Sequence, residues 1–598
     1  MPETKDAKPE NPVSEFVYRP GESAEMDAWV TAFFIENHLD HYTHPEHAAS
    51  PEQIRFMVYT EPEERYYPCS DRMFDAIMNR KKSAFIQRKY NEVLERILAL
   101  VDNQIEDEYE KRFLESLIIV KFKHETRDEI MIPSRFEKRM ISVFINRTRI
   151  EDPFLADKTE RNRRMEAILA SQAFNEALNH VDPTAVATPP KTLAEIVRLV
   201  ARIKLRRLFA LTGEKCLWET EPTENRGTED FYAIMNRPLG GSDAGRLIDF
   251  LCLSCGGPTE KASKPKKLLW LADESGEIVA DLYLIRYLAE LGHKIVIAFK
   301  EGPLFAKTDF IDAQEDPVLI KAMEGALILK EKAMNKNDLV KTLRSDQDII
   351  AISDGTRENI NLLLASTTFA RIFKEVDGII SRGQDQWRRI FDTHFRFTQD
   401  VFNISPDGTG GVQVSFKPRH ENVIKFSHSD LESKARTIID QMSGAKARGM
   451  TVIFYSGIIG SIPGKIDMAK KIMSVFVKHI MEQSAQTFII NPSEHYEPGM
   501  DADDLMFFWE IVQRSGLIDI WRFQSYEDIA KSFEIMGRRV PPEWVGKDAT
   551  YSTGCTKEMR IATDVQRKFP EMQLIGPSRE KFMRRSQYGV GKMYDERL

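Results

Sequence analysis

Cysteine is scarce in this 598-residue chain: Cys69, Cys216, Cys252, Cys255 and Cys555 are all there are. They are too few and too scattered to staple a secreted fold, so a reducing cytoplasm is the expected setting. An excess of basic charge is also missing. Lysine and arginine number 84 against 92 acidic residues, and a net charge of −8 offers no electrostatic basis for binding nucleic acid. No run comes near the roughly 18 apolar residues that a spanning helix needs, and the start, Met1 to Glu15, is polar and rich in Pro, Lys and Glu. Neither a membrane span nor a signal peptide is expected. Internal repeats are absent too, and the length is too great for one core, so roughly two to four domains should be present.

What is present changes character along the chain. Residues 1–22 have the composition of a disordered tail. Residues 23–245 carry helical periodicity, as in Ala24–His38, Ser70–Val101, Glu108–Phe122 and Thr192–Leu211, with breaks at prolines such as Pro45, Pro133 and Pro183. Within 246–428, after a Gly/Pro/Lys-rich linker at 256–267, short apolar runs alternate with helices: Leu268–Ala272, Ile295–Phe299, Ile349–Ser353, Gly378–Ser381 and Val412–Phe416. Residues 429–598 repeat that alternation at Thr451–Ser456, Thr487–Asn491 and Asp519–Phe523. The expected class is α/β: a mostly parallel sheet flanked by helices, preceded by a helical region and followed by an α/β extension.

The most informative segment is Leu-Leu-Trp-Leu-Ala-Asp273-Glu274-Ser-Gly-Glu277-Ile-Val-Ala-Asp281-Leu. An apolar strand ends on two carboxylates, a Ser-Gly turn follows, and a helix begins whose Ile278, Leu282, Ile285 and Leu288 share a face. Ligands of open α/β sheets sit beyond the carboxyl ends of strands, and carboxylate oxygens suit hard divalent cations. Acids at a helix start can equally serve its free N–H groups and dipole.

This segment resembles the Asp-Asn-x-Gly-Glu motif of the metal-dependent damage-control phosphatases, a family once catalogued as a domain of unknown function and related to the acidic-residue methyltransferase-like proteins. Other segments agree in order over roughly residues 140–420. Asp152-Pro-Phe-Leu-Ala-Asp-Lys158-Thr-Glu-Arg-Asn162 is similar to the family's Asp-Pro-Tyr/Phe-x-x-x-Lys-x-x-x-Asn pattern, and Ala244-Gly245-Arg246-Leu-Ile-Asp249-Phe250 to its Gly-Asn-x-Ile-Asp-Phe. Asp377-Gly-Ile-Ile-Ser-Arg382-Gly383-Gln384 resembles its Lys-Gly-Gln strand end, and Lys417 stands at a late strand-end lysine. The resemblance implies divalent-metal-dependent hydrolysis (Mg, Mn, Co or Ni) of a small phosphorylated metabolite. Asp273, Glu274 and Asp309 would hold the metal; Asp273, Arg382 and Lys417 would do the chemistry. Asp249, Arg246, Glu277 and Lys307 would orient these groups or bind substrate. Asp273, Asp249, Arg382 and Lys417 are accordingly expected to converge on one cleft.

The departures bear on activity. Glu274, Arg246 and Arg382 replace the family's Asn, Asn and Lys. Without a gap, Pro303-Leu-Phe-Ala-Lys307-Thr-Asp309 puts Lys307 where the family has a metal-binding aspartate, and a two-residue loop shift would bring in Asp309 instead. If Lys307 is the replacement, its ammonium opposes a metal, and the alternative is a catalytically degenerate member acting as a ligand-binding or scaffold protein.

Other clusters read as structure. His38, His41, His44 and His47 share a helical spacing, but Pro45 interrupts it, which favours a solvated helix end. Cys252 and Cys255 read as buried thiols. The turn Gly457-Ile-Ile-Gly460-Ser-Ile-Pro-Gly464-Lys465-Ile466 lacks the Walker serine or threonine, leaving at most an anion-binding turn.

Overall fold

The computed structural model describes residues 21–38, 51–61, 64–180, 190, 192–220, 226–252 and 264–587. Most of the expected 1–22 tail, much of the 256–267 linker, His41, His44, His47 and Cys255 lie outside the described residues. The chain divides into two compact units, Met1–Asn335 with Leu339–His420, and Lys336–Asp338 with Glu421–Leu598.

In the first unit the strands are β1 (Val58–Tyr59), β2 (Leu239–Gly240), β3 (Lys267–Leu271), β4 (Lys294–Phe299), β5 (Leu327–Leu329), β6 (Ile349–Ser353), β7 (Gly378–Arg382), β8 (Arg396–Phe397), β9 (Val401–Pro406) and β10 (Val412–Lys417). Eight of them form one sheet in the order β2-β10-β9-β7-β3-β4-β6-β5, while β1 and β8 pair separately. The run β9-β7-β3-β4-β6-β5 is parallel. The exception is β10, which runs antiparallel to β9 and carries β2 parallel to itself.

The central strand shows why the sequence is apolar without alternation. Leu269 and Leu271 of β3 pack into a core shared with the early helices, whereas Leu268 and Trp270 point into a second core containing Ile278, Leu282 and Ile285. A sheet covered on both faces buries successive side chains alike. The helices match the expected periodicity: Ala24–His38 and Glu108–Glu125 are continuous, while the expected Ser70–Val101 helix is two, Asp71–Met78 and Ala84–Gln104. The break between them contains Arg80, in left-handed backbone at φ 54°.

The second unit holds β11 (Thr451–Ser456), β12 (Thr487–Ile490), β13 (Ile520–Phe523) and β14 (Gln573–Ile575), all parallel in the order β12-β11-β13-β14. Its helices bury Ile458, Ile472, Ile529, Phe533 and Trp544 in a core of its own. Lys465, which ends the glycine-rich turn, pairs with Glu543 at 2.8 Å. The fold is the α/β class expected, with a helical N-terminal region and a C-terminal α/β extension.

Candidate functional site

The site grows from the carboxyl end of β3. Asp273 and Glu274 follow the strand, and Gly276 turns the chain into the helix Glu277–Glu290 at φ 83°, a backbone that side chains rarely adopt. A Cβ there would meet Trp218 at 2.4 Å, and the Gly276 N–H donates to Asn162 Oδ1 at 2.7 Å. The loop after β4 folds back over this turn: the Ser275 N–H donates to the Ala306 carbonyl (2.7 Å) and the Thr308 N–H to the Asp273 carbonyl (2.8 Å). Phe305, at φ 49°, lies two residues before Lys307 in that loop.

Lys307 therefore enters the site from above. Its Nζ lies 2.6 Å from Asp273 Oδ1, 3.4 Å from Asp385 Oδ2 and 3.9 Å from Glu274 Oε1. Lys215 holds the other side of Glu274 at 3.0 Å. Gly383, at φ 79°, lets the start of the helix Gly383–Ile390 approach so closely that a Cβ would stand 1.9 Å from Asp273 Oδ2. Burial pushes the Asp273 carboxyl up to about 7 against the pull of Lys307. Burial also opposes the charge on Lys307, but Asp273, Asp385 and Glu274 outweigh it and hold the ammonium above its ordinary range. Glu274 is pushed up by burial and pulled below its ordinary value by Lys307 and Lys215.

Deeper in the sheet, Arg382 contacts Glu277 Oε1 through Nη2 (2.8 Å) and Asp281 Oδ2 through Nε (3.1 Å), while the Trp270 indole N–H donates to that same Asp281 oxygen (2.9 Å). Burial raises Glu277 to about 7 even beside the guanidinium.

Asp309 belongs to a different cluster. Lys158 Nζ, 1% exposed, sits 2.6 Å from Asp152, 2.6 Å from Asp312 and 2.9 Å from Asp309. These three aspartates form the one group of three or more His, Cys, Asp or Glu ligand atoms within 4.8 Å of one another among the described residues. Asp273, Glu274 and Asp309 are not such a group.

The expected convergence on one cleft needs correction at two residues. Lys417 ends β10, and because that strand is antiparallel to β9 it is paired with Val401, at the amino end of the parallel strands, away from Asp273. Its Nζ donates to the Ile390 and Thr393 carbonyls at 2.7 Å each, and burial lowers it to about 8. Asp249 lies on the surface of the helix Ala244–Leu251, paired with Arg202; Arg246, on the same helix, stacks over Phe416. An apolar pair, Leu247-Ile248, before an aspartate suits a helix face as well as a strand end.

Several residues at the site were not singled out from sequence. Asp385 directly follows the Arg-Gly-Gln segment and could have been read from its place there. Glu137, on the helix Pro133–Thr148, is buried and raised to about 7, with Arg96 at 2.7 Å offsetting its burial, and it feels the charges of Asp385 and Lys307. Arg96 also stacks over Phe305 at 3.7 Å. Nothing in a linear pattern joins positions 96 and 137 to 307.

Residues 74–406 match the family model of the damage-control phosphatase ARMT1-like domain. The chain belongs to that family. Membership supports a phosphatase-like function in general, and both clusters lie inside the matched span, whereas Lys417 and residues 421–598 lie outside it. Among solved structures, the crystal structure of a DUF89 family protein from Pyrococcus horikoshii is 16% identical, covering 56% of this chain and 98% of that one with a TM-score of 0.38. No curated protein matches the chain significantly. Among the described residues no helix is long and apolar enough to cross a membrane.

A divalent metal, which the family implies, does not fit Asp273, Glu274 and Asp309 as they stand. The Lys307 ammonium already stands 2.6 Å from Asp273 Oδ1, and Asp309 is committed to Lys158 at 2.9 Å. A dication about 4 Å from that ammonium would be repelled by about 8 kcal/mol at an effective dielectric constant near 20.

Proposed function

We propose that this chain is a catalytically silent, metal-independent member of its family, a scaffold or ligand-binding protein whose phosphatase site is closed by its own lysine. The carrying observation is Lys307 Nζ among Asp273, Asp385 and Glu274. A tethered monovalent cation offsets part of the carboxylates' charge but offers no open coordination position to polarise a phosphoryl group or activate water. In this reading residues 23–245 cap the site, 246–428 form the α/β domain that carries it, and 429–598 are an accessory unit.

The experiment combines thermal shift and hydrolysis. Wild-type protein should gain no melting temperature from Mg²⁺, Mn²⁺, Co²⁺ or Ni²⁺ over EDTA, and should not hydrolyse p-nitrophenyl phosphate. Lys307→Ala, which frees Asp273, should acquire metal-dependent stabilisation, because a ligand bound only by the native state raises its melting point. EDTA-sensitive hydrolysis by the wild type would overturn the proposal.

One observation favours a second reading, a metal-dependent phosphatase acting on a small phosphorylated metabolite. Asp152, Asp309 and Asp312 bring three carboxylate oxygens within reach of a single cation, Lys158 now filling that role. If a metal displaces Lys158, metal stabilisation appears in the wild type and strengthens in Lys158→Ala.

A further inference from the structure

Glu558, on the helix Thr553–Lys568 of the second unit, is more than nine-tenths buried, and among the described residues no cationic side chain pairs with it. Its neighbours are neutral. From the helix Ala502–Gln513, Gln513 Nε2 donates to Glu558 Oε1 at 2.9 Å. From the end of β11, Ser456 faces the same carboxyl and accepts the Trp521 indole N–H at 2.9 Å. On its own helix stands Cys555, whose thiol donates to the carbonyl of Gly457, the first residue after β11, at 3.2 Å. The other half of the Gln513 carboxamide, Oε1, is buried and receives no hydrogen bond.

Buried acceptors are rarely left without a donor, and the carboxyl already bonded to this carboxamide can supply one as its own O–H. We infer that Glu558 is held as a neutral acid giving its proton to Gln513 Oε1 in a cyclic acid–amide pair, and that its ionisation releases the helix Thr553–Lys568 from the end of β11: a pH-sensitive latch. A carboxylate has no hydrogen to give, so ionisation orphans Gln513 Oε1 and adds a buried charge without a counter-ion. Burial pushes Glu558 up to about 7, against the hydrogen bonds from Ser456, Gln513 and Cys555. No ionised group contributes to that value. Asp548, which acts on the neighbouring Cys555, is itself paired with Lys581 and Arg585. Because the folded state binds this proton more tightly than the unfolded chain, the latch is fully closed below the ordinary carboxyl range and is lost as pH rises through about 7. Through Cys555 the loss reaches Gly457 and the glycine-rich turn that follows.

The test is hydrogen exchange of the full chain at pH 5 and pH 8, corrected for the intrinsic rate and read on peptides from Thr451–Ser456 and Thr553–Lys568. In the wild type, opening of these segments should rise at least about tenfold between the two pH values. Glu558→Gln reproduces the hydrogen bonds of the neutral acid without its titration. It should hold opening within about threefold across the range and be less open than the wild type at pH 8. Glu558→Met, apolar and of similar volume, serves if that variant misfolds, and should likewise abolish the pH dependence. Wild-type opening that ignores pH, a pH dependence that survives in both variants, or a Glu558→Gln protein more open than the wild type at pH 8 would each overturn the proposal.

Discussion

At the scale of the residue, the molecule repeatedly places a cationic side chain where several carboxylates meet. Lys307, Lys158 and Arg382 each do so, and each is nearly buried. Such groups are rarely stabilising against an apolar replacement, but removing one partner strands the others. His394 shows the same habit nearer the surface: Nδ1 lies 2.9 Å from Asp71 and Nε2 2.8 Å from Glu64. Those two hydrogen bonds, Asp71's first, raise the imidazole to about 9. The folded state thus holds the proton more tightly than the unfolded chain, where histidine titrates near 6.5. The stabilisation is complete below about pH 6.5 and is lost as pH rises through about 9. His394→Gln should therefore cost more stability at pH 6 than at pH 10 in urea unfolding. Equal costs at the two pH values would refute the pairing.

At the scale of the element, the decisive feature is the turn from β3 into the helix Glu277–Glu290. It works only because Gly276 adopts φ 83° against Trp218, with its N–H held by Asn162 from the helix Leu155–Ala170. That ties the helix carrying Lys158 and Asn162 to the Asp273–Glu277 turn. Gly276→Ala should lose about 2–4 kcal/mol, combining unfavourable φ with a clash against a buried indole. Chemical denaturation measures it, and a loss below about 1 kcal/mol would mean the turn relaxes. The same scale explains Lys417: strand polarity, not strand content, decides which end of a sheet a residue occupies.

At the scale of the whole molecule, the two units have separate cores. One is built on both faces of the eight-stranded sheet, and the other is centred on Ile458, Ile472, Ile529, Phe533 and Trp544. Chains with separate cores depart from two-state unfolding. Calorimetry should resolve two transitions, and Gly276→Ala should lower the one belonging to the unit that contains β3 while leaving the other in place. A single transition displaced as a whole would show that the units unfold together.

The sequence by itself determined the class of fold and the setting of the main site. Continuous apolar runs such as Leu268–Ala272 and Ile349–Ser353 can satisfy their burial only in a doubly covered sheet, and local turn chemistry at Asp273–Gly276 is legible because it lies within a few bonds. The segment carrying Asp152, Lys158 and Asn162 was visible only through its resemblance to the family's pattern. Short strands such as β5 and β14, with three residues each, carry too little pattern to be read. Tertiary structure alone decided which charges meet. Whether Lys307 or Asp309 faces Asp273 depends on how the loop after β4 folds back, through backbone bonds from Ser275 and Thr308 that no spacing encodes. The antiparallel course of β10 sent Lys417 to the opposite end of the sheet, and the helical region brought Arg96 and Glu137 to the site from far along the chain. A contact between residues distant in sequence is set by the packing of whole elements, and a linear pattern records only what each element contributes to it.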